Sequence, residues 1–410
     1  LFKNPFFGAA PLGLGLLGMD TSVKGSRVCV FGSGSFGTAL GTVIARNGYS
    51  VTLLTRRDDV AQSINTKHMN PTHLTTCKLP PLLSATTSAE AALKGVSYIV
   101  HCIPVQSTAS FLEPLVGLIP PEVPIISTSK GLHSETLETM AELVPRVMGR
   151  AQPMAFLSGP TFAKELMEEV PSGAILAAAD ANVADACAEL FHSKTLRCYT
   201  TTDVIGVEVG GALKNVYALA AGAIEGMGLG TNSAAFLVTR GCAEMNALAV
   251  AMGGRAHTMA GLAGIGDLML TCLGGASRNK AVGTRIGAGE SLDDVLKSRQ
   301  QSLEGVAEGV ATAPAAVRLA EKHDVYMPIA KAVNSVLLGH VQPREAILAM
   351  MQQPRHEDFS AEAPKAEAAR LQQLQQQVNL KAQSSTLVAA LLGATVGACL
   401  VAGLMRLRRG

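Results

Sequence analysis

Four short segments of this chain set lysine, arginine, asparagine or aspartate inside glycine-rich or apolar surroundings, where a charge is costly unless it faces a cleft. Ser129-Lys130-Gly131-Leu132 follows the apolar run Ile125–Ser127, so Lys130 falls at the carboxyl edge of a predicted parallel sheet, where ligands bind. Gly210-Gly211-Ala212-Leu213-Lys214-Asn215 puts a Lys–Asn pair inside an otherwise apolar helix. Burial and a neighbouring Lys130 would both disfavour the ammonium of Lys214 and bring it toward working pH as an acid or base. Asp267, in Gly264-Ile265-Gly266-Asp267-Leu268, could orient that lysine or simply cap a helix. Ser277-Arg278-Asn279 lies in a glycine-rich turn suited to clamping a phosphate with a forked guanidinium. Cations for a phosphate, a proton donor for a developing alkoxide and oriented amides around a carbonyl are what hydride reduction of a phosphorylated ketone requires.

A second constellation is nucleotide-like. Gly32-Ser33-Gly34-Ser35-Phe36-Gly37 matches GxGxxG, and the strand Val28–Phe31 before it and the Ala-rich helix after it supply the context that a lone glycine motif lacks. Gly32 would make the tight turn, Gly34 would let backbone N–H groups reach a pyrophosphate, and Gly37 would let helix and strand pack closely. The helix N-terminus would carry the anion. The second strand runs out in Leu54-Thr55-Arg56-Arg57, where a site reading a free ribose 2′-hydroxyl would place an acid. Two arginines favour tolerance of a 2′-phosphate, so the expected cofactor is NAD or NADP, with Asp58 or Asp59 as the alternative acid one step later.

The elements that must position these groups are legible from patterning. From Arg27, short apolar strands (Val28–Phe31, Val51–Leu54, Tyr98–Ile103, Ile125–Ser127, Met154–Leu157) alternate with helical stretches such as Thr38–Asn47, which argues for a parallel sheet with crossover helices. After about Thr200 long Ala-rich helices take over, around Gly206–Ala223 and Ser233–Met252. The expected architecture is an N-terminal arm or targeting remnant over 1–26 and a Rossmann domain over 27–199. A helical catalytic domain follows over 200–352, then a polar helical linker over 353–386 and a transmembrane helix over 387–405. In the linker, Leu371, Leu374 and Val378 sit at heptad-like spacing, compatible with a very short coiled coil. The block Leu387–Met405 carries no charge and reaches roughly the 30 Å of a bilayer core, with Gly393 and Gly397 spaced for close helix pairing. Such an anchor would leave the catalytic domains facing the cytoplasm, with organelle import left open by the N-terminal stretch.

Lys plus Arg number 34 against 32 Asp plus Glu, a formal charge of +2, so no long-range field draws nucleic acid and an anionic substrate must be met by a local cluster. Hydrophobic residues make up 48% and aromatics only 4%, which suits packed aliphatic helices. The eight cysteines lack CxxC spacing and read as reduced core filler, and His68 and His73 lack a second ligand pair, so no metal is expected.

These motifs occur in the order in which they occur in a known family. The stretch from Arg27 to about Met351 resembles NAD(P)-dependent glycerol-3-phosphate dehydrogenase, closest to the bacterial-type form. It does so through the GSGSFG fingerprint, the TSKGL segment, Ser158-Gly159-Pro160-Thr161-Phe162-Ala163-Lys164-Glu165, the Leu213-Lys214-Asn215 helix, and Gly266-Asp267-Leu268 through Thr271 to Ser277-Arg278-Asn279. The resemblance implies an α/β Rossmann domain followed by an all-α domain like the C-terminal part of 6-phosphogluconate dehydrogenase, with the active site between them. It implies Lys214 as proton donor and acceptor, with Lys130 and Asp267 beside it. Lys130, Gly159, Thr161, Lys214, Asn215, Asp267, Thr271, Ser277, Arg278 and Asn279 would meet dihydroxyacetone phosphate or glycerol 3-phosphate. Gly32, Gly34, Ser35, Phe36, Gly37, Arg56, Lys130, Ala163, Arg278 and Glu308 would meet the cofactor. A homodimer and a supply of glycerol 3-phosphate to glycerolipid synthesis are further expectations. Another hydroxyacid dehydrogenase sharing the architecture, or a membrane-tethered nucleotide sensor without turnover, are the competing readings. The Ser277-Arg278-Asn279 segment argues against the first, and the intact lysine pair against the second.

Overall fold

The computed structural model describes residues 25–301 and 307–352. The linker over 353–386, the apolar block over 387–405 and all but the last two residues of the arm over 1–26 lie outside the described residues. Among the described residues, eight strands form one sheet in the order β3-β2-β1-β4-β5-β6-β7-β8. They are β1 (Arg27–Phe31), β2 (Ser50–Leu54), β3 (Leu83–Thr86), β4 (Tyr98–His101), β5 (Ile125–Ser127), β6 (Met154–Ser158), β7 (Ser172–Ala177) and β8 (Leu196–Thr201).

The central strands are continuous apolar runs because helices cover both faces: Val28, Cys29, Val30 and Phe31 of β1 are all buried. Burying each such side chain contributes roughly 1.5–3 kcal/mol. At the margins, β3 (Leu-Ser-Ala-Thr) and β8 (Leu-Arg-Cys-Tyr-Thr-Thr) show exposed positions among buried ones, as strands at the two edges of the sheet should.

The expectation of a parallel sheet is corrected at one seam, because β6 pairs antiparallel with β7. The chain turns at Gly159, where φ is +126°, and the five-residue helix Ala163–Met167 spans only about 7.5 Å, too short to carry it back across the sheet. Strand β7 therefore starts from the edge where β6 stopped, and Gly159 and Thr161 stay at the carboxyl edge of the parallel strands.

Past β8 the fold is helical. The central helix, Val204–Gly226, is buried on nearly every side, which explains its lack of a polar face. It is long and apolar enough to cross a membrane by composition, yet it is a core helix, wrapped by Thr231–Ala251, Asp267–Leu273, Arg278–Gly287 and Glu308–Lys322. The Asp203 side chain caps it by accepting from the Gly206 N–H at 3.1 Å, and also takes the Arg255 N–H at 2.9 Å and the Thr258 hydroxyl at 2.5 Å. Against Arg278–Gly287 the packing is backbone to backbone: a methyl on Gly222 would run into the Lys280 carbonyl, and one on Gly283 into that of Leu219. That contact fixes Arg278 and Asn279 relative to Lys214 and Asn215.

Candidate active site

The fingerprint loop is built as a cradle. Gly32 takes φ +99° and its N–H donates to the Leu54 carbonyl at 3.0 Å, closing the turn over β2. A side chain on Gly37 would strike the Gly32 carbonyl, whereas a Cβ on Gly34 would meet nothing within 4 Å. The helix Ser35–Arg46 starts with no side-chain cap, so its first N–H groups face that open side, beside exposed Ser35 and half-buried Phe36. An open, uncapped helix N-terminus behind a glycine turn fits the pyrophosphate of a dinucleotide.

Arg56 stands exposed just past β2. Its neighbour Arg57 forms an ion pair with Asp59 (Nε to Oδ1 2.9 Å), and Asp58 accepts from the Thr87 hydroxyl at 2.7 Å. Both alternative acids thus already hold a partner within the protein, beside exposed Arg56.

Two residues here were not assigned to the cofactor by the sequence. Fully buried Asn70 donates to the Ser33 carbonyl and to the Thr38 hydroxyl, each at 2.9 Å, while its Oδ1 holds the Thr72 and His73 N–H groups. His73 Nδ1 consequently stands 3.4 Å from Ser35 Oγ, and partial burial with Arg278 and Arg57 nearby lowers its pKa. The Asn70-Pro71 turn was the available signal, and its partner 37 positions upstream was not readable.

At the other end of the cleft one carboxylate holds two ammoniums. Lys214 Nζ lies 2.5 Å from Asp267 Oδ1, and Lys130 Nζ lies 2.6 Å from Asp267 Oδ2 and 3.4 Å from the Gly159 carbonyl. Burial pushes Lys214 down to about 8; Asp267 opposes that and Lys130 reinforces it. Burial also works against the Asp267 carboxylate, yet the two lysines hold it below its ordinary range. Thr271 fixes the aspartate from below, its hydroxyl donating to the Asp267 carbonyl at 2.6 Å.

An amide chain ties four segments together. Asn215 Nδ2 donates to the Lys130 carbonyl at 3.2 Å, Asn279 Nδ2 to Asn215 Oδ1 at 2.9 Å, and the Gly309 N–H to Asn279 Oδ1 at 2.9 Å. Ser277 caps the helix Arg278–Gly287 by accepting from the Lys280 N–H at 3.2 Å, leaving Arg278 exposed in the first turn. Glu308 opens the helix Glu308–Lys322. Burial raises its pKa, against the pull of Arg278, the Val105 N–H and both lysines, which places it between the two halves of the cleft.

Gly159 allows the approach of β7, since a Cβ there would lie 3.0 Å from the Gly173 carbonyl. Buried Thr161 donates to the Gly159 carbonyl at 3.2 Å, and Ala163 opens the short helix beside the fingerprint helix. The Lys130, Lys214 and Asp267 cluster is thus joined through Asn215 and Asn279 to the start of the helix that carries Arg278, which Ser277 caps. A cavity of about 360 Å3 lies elsewhere in the helical bundle, among Leu219, Phe236, Ile286 and Val333, and carries no acid–base group.

The geometry agrees with what the chain is similar to. A family model described as the NAD-dependent glycerol-3-phosphate dehydrogenase N-terminus matches residues 27–184, and the corresponding C-terminus model matches residues 203–348. The chloroplastic NAD(+) glycerol-3-phosphate dehydrogenase 2 of Arabidopsis thaliana is 45% identical over 342 residues, 83% of this chain and 80% of that protein. The NAD(P)+ glycerol-3-phosphate dehydrogenase of Desulfovibrio desulfuricans is 42% identical over 332 residues, 81% of this chain and 98% of that protein. A crystal structure of glycerol-3-phosphate dehydrogenase from Coxiella burnetii superimposes with a TM-score of 0.75 at 32% identity, covering 80% of this chain and 99% of that one.

Proposed function

Because this chain belongs to the NAD-dependent glycerol-3-phosphate dehydrogenase family, we propose that it works as an NAD(P)-dependent oxidoreductase that reversibly reduces dihydroxyacetone phosphate to sn-glycerol 3-phosphate. The observation that carries the chemistry is the pair of lysines on one buried carboxylate. A bound nicotinamide dinucleotide supplies the hydride to the ketone carbon. As the carbonyl oxygen gains charge, the Lys214 ammonium gives it a proton, leaving a neutral amine that solvent must recharge before the next turnover. Lys130 remains charged beside Asp267 and polarises the same oxygen. Asp267 keeps both ammoniums in place, and Arg278 takes the phosphate through its planar fork.

The cofactor cradle falls to Gly32, Gly34, Ser35, Phe36 and Gly37, with Arg56 supporting use of NADP as well as NAD. The reading extends to a homodimer, to a supply of glycerol 3-phosphate for phospholipid synthesis, and to a membrane tether through residues 387–405 with the catalytic domains on the cytoplasmic face. The support for the tether is the absence of charge from that block. Carbonate-resistant association of the full chain with membranes, lost on deleting 387–410, is its test.

The test of the activity is the purified protein with dihydroxyacetone phosphate and NADH or NADPH, following nicotinamide absorbance. Turnover is expected with both cofactors. A protein that binds either one without oxidising it would sink the reading.

A further inference from the structure

The central helix carries a second acid that never faces the cleft. Glu208 lies six positions before Lys214, about 9 Å along the helix and roughly 120° around it, too far to touch a substrate held by Lys214. Its carboxylate reaches out of the helical domain to the start of the crossover helix Met140–Met148, where Oε1 and Oε2 accept the Ala141 N–H at 3.1 and 3.3 Å. That terminus already has its own closure. Thr139 and Glu142 form a reciprocal capping box, with the Thr139 N–H donating to Glu142 Oε2 at 3.0 Å. The box serves the Thr139 and Glu142 N–H groups, and Glu208, from the other domain, meets the Ala141 N–H that the box leaves over.

Between Glu208 and Lys214 the central helix rests directly on Lys130. A Cβ on Gly211 would lie 3.3 Å from Ser158 Oγ and 3.5 Å from Lys130 Cγ. Beside that contact is a recess of about 10 Å3, room for a single water, bounded by Ser127, Ser129, Lys130, Ser158, Glu208 and Gly211. The Ser127 and Ser158 hydroxyls in its wall are each 2% exposed and have no hydrogen-bond partner. The seat beneath the helix on this side thus keeps a small gap between Glu208 and Lys130, and the Glu208 contact is a separate hold on the helix.

We propose that Glu208 is a positioning residue, gripping the start of the Met140–Met148 helix so that the central helix presents Lys214 at the depth where it meets Asp267 beside Lys130. The length of the Glu208 side chain sets that depth. Burial pushes its carboxyl up to about 8, against the Thr139 hydroxyl and the Ala141 and Met140 N–H groups, in keeping with an acid held at a closed junction between the two domains.

This inference rests on the dihydroxyacetone phosphate reading, and the two fail separately. If the unmodified protein does not turn over, that reading fails. The inference is tested by Glu208→Asp, which keeps the carboxyl group but shortens the arm by one methylene. It should lower kcat about tenfold or more, as misplacement on the ångström scale does, while leaving KM for the cofactor near the wild-type value. With Lys214 and Asp267 drawn together away from Lys130, whose charge lowers the Lys214 pKa, the pH limb of kcat should also move above that of the wild type. Glu208→Gln, of the same length, should restore both. Ala141→Pro removes the donor from the opposite side, at a first-turn position, and should reproduce the loss. Arg146→Ala breaks the ion pair of the same helix with Glu138, a contact that does not involve Glu208, so it should leave kcat and the pH limb unchanged. Wild-type kcat in whichever of Glu208→Asp and Ala141→Pro folds, or an equal loss in Arg146→Ala, overturns the proposal.

Discussion

Lys214 Nζ sits 2.5 Å from Asp267 Oδ1, and the aspartate's other oxygen is held at 2.6 Å by Lys130, so one carboxylate balances two ammoniums in a buried place. One positive charge remains beyond what Asp267 neutralises, which is the electrostatic condition for stabilising an alkoxide.

Replacing Lys214 with Ala removes the proton donor and should cut kcat by about 10²–10⁴, with cofactor affinity unchanged because the fingerprint loop is distant. Single-turnover rates and a fluorescence titration with NADH would check both halves. A residual rate near wild type would exclude Lys214 from proton transfer.

The pH dependence follows from the direction of the Lys214 shift. Reduction needs the ammonium, so kcat should be full below about 8 and fall as pH rises through it. Oxidation of glycerol 3-phosphate needs the neutral amine and should rise through the same pH. Opposite limbs in the two directions are the signature; limbs of the same sign would point to another group.

Asp267→Asn takes away the partner that opposes burial and Lys130 at Lys214. The limb should move to lower pH, and reduction at neutral pH should fall about tenfold or more as the ammonium is lost. A pH–rate profile that keeps the wild-type limb would show that the aspartate does not set it.

Arg278→Ala should raise KM for dihydroxyacetone phosphate by about 10–100-fold through loss of a forked, charge-assisted contact, without moving the pH limb. Arg56→Glu should instead penalise NADPH over NADH, since Arg57 is tied to Asp59. Steady-state KM values for both cofactors would show whether the discrimination changes.

Much of this site was readable from residue types, because the chain spends charge sparingly: a lysine in an apolar helix and a lysine at a strand end are conspicuous. The strands β1, β2, β4, β5 and β6 were legible because burial on both faces makes them unbroken apolar runs. Strands β3, β7 and β8 were not, since short edge segments such as Leu83–Thr86 and the small-residue run Ser172–Ala177 carry little apolar signal. The antiparallel seam escaped because strand direction depends on how far a connection travels. Asn70, His73 and Glu208 went unassigned because these partners lie 32 to 67 positions away.

Glycine at 283 should be hard to replace. A methyl there meets the Leu219 backbone carbonyl, which cannot rotate aside, so Gly283→Ala should cost about 3 kcal/mol in denaturant unfolding. A loss under 0.5 kcal/mol would mean that the two helices can separate freely.

The same glycine seam acts as a ruler. Lys214 and Arg278 are carried by helices whose backbones touch at Gly222 and Gly283, so the span from proton donor to phosphate clamp belongs to the rigid frame and cannot be retuned by loops. Changing the spacing between the two side chains' anchor points would mean re-spacing two helices.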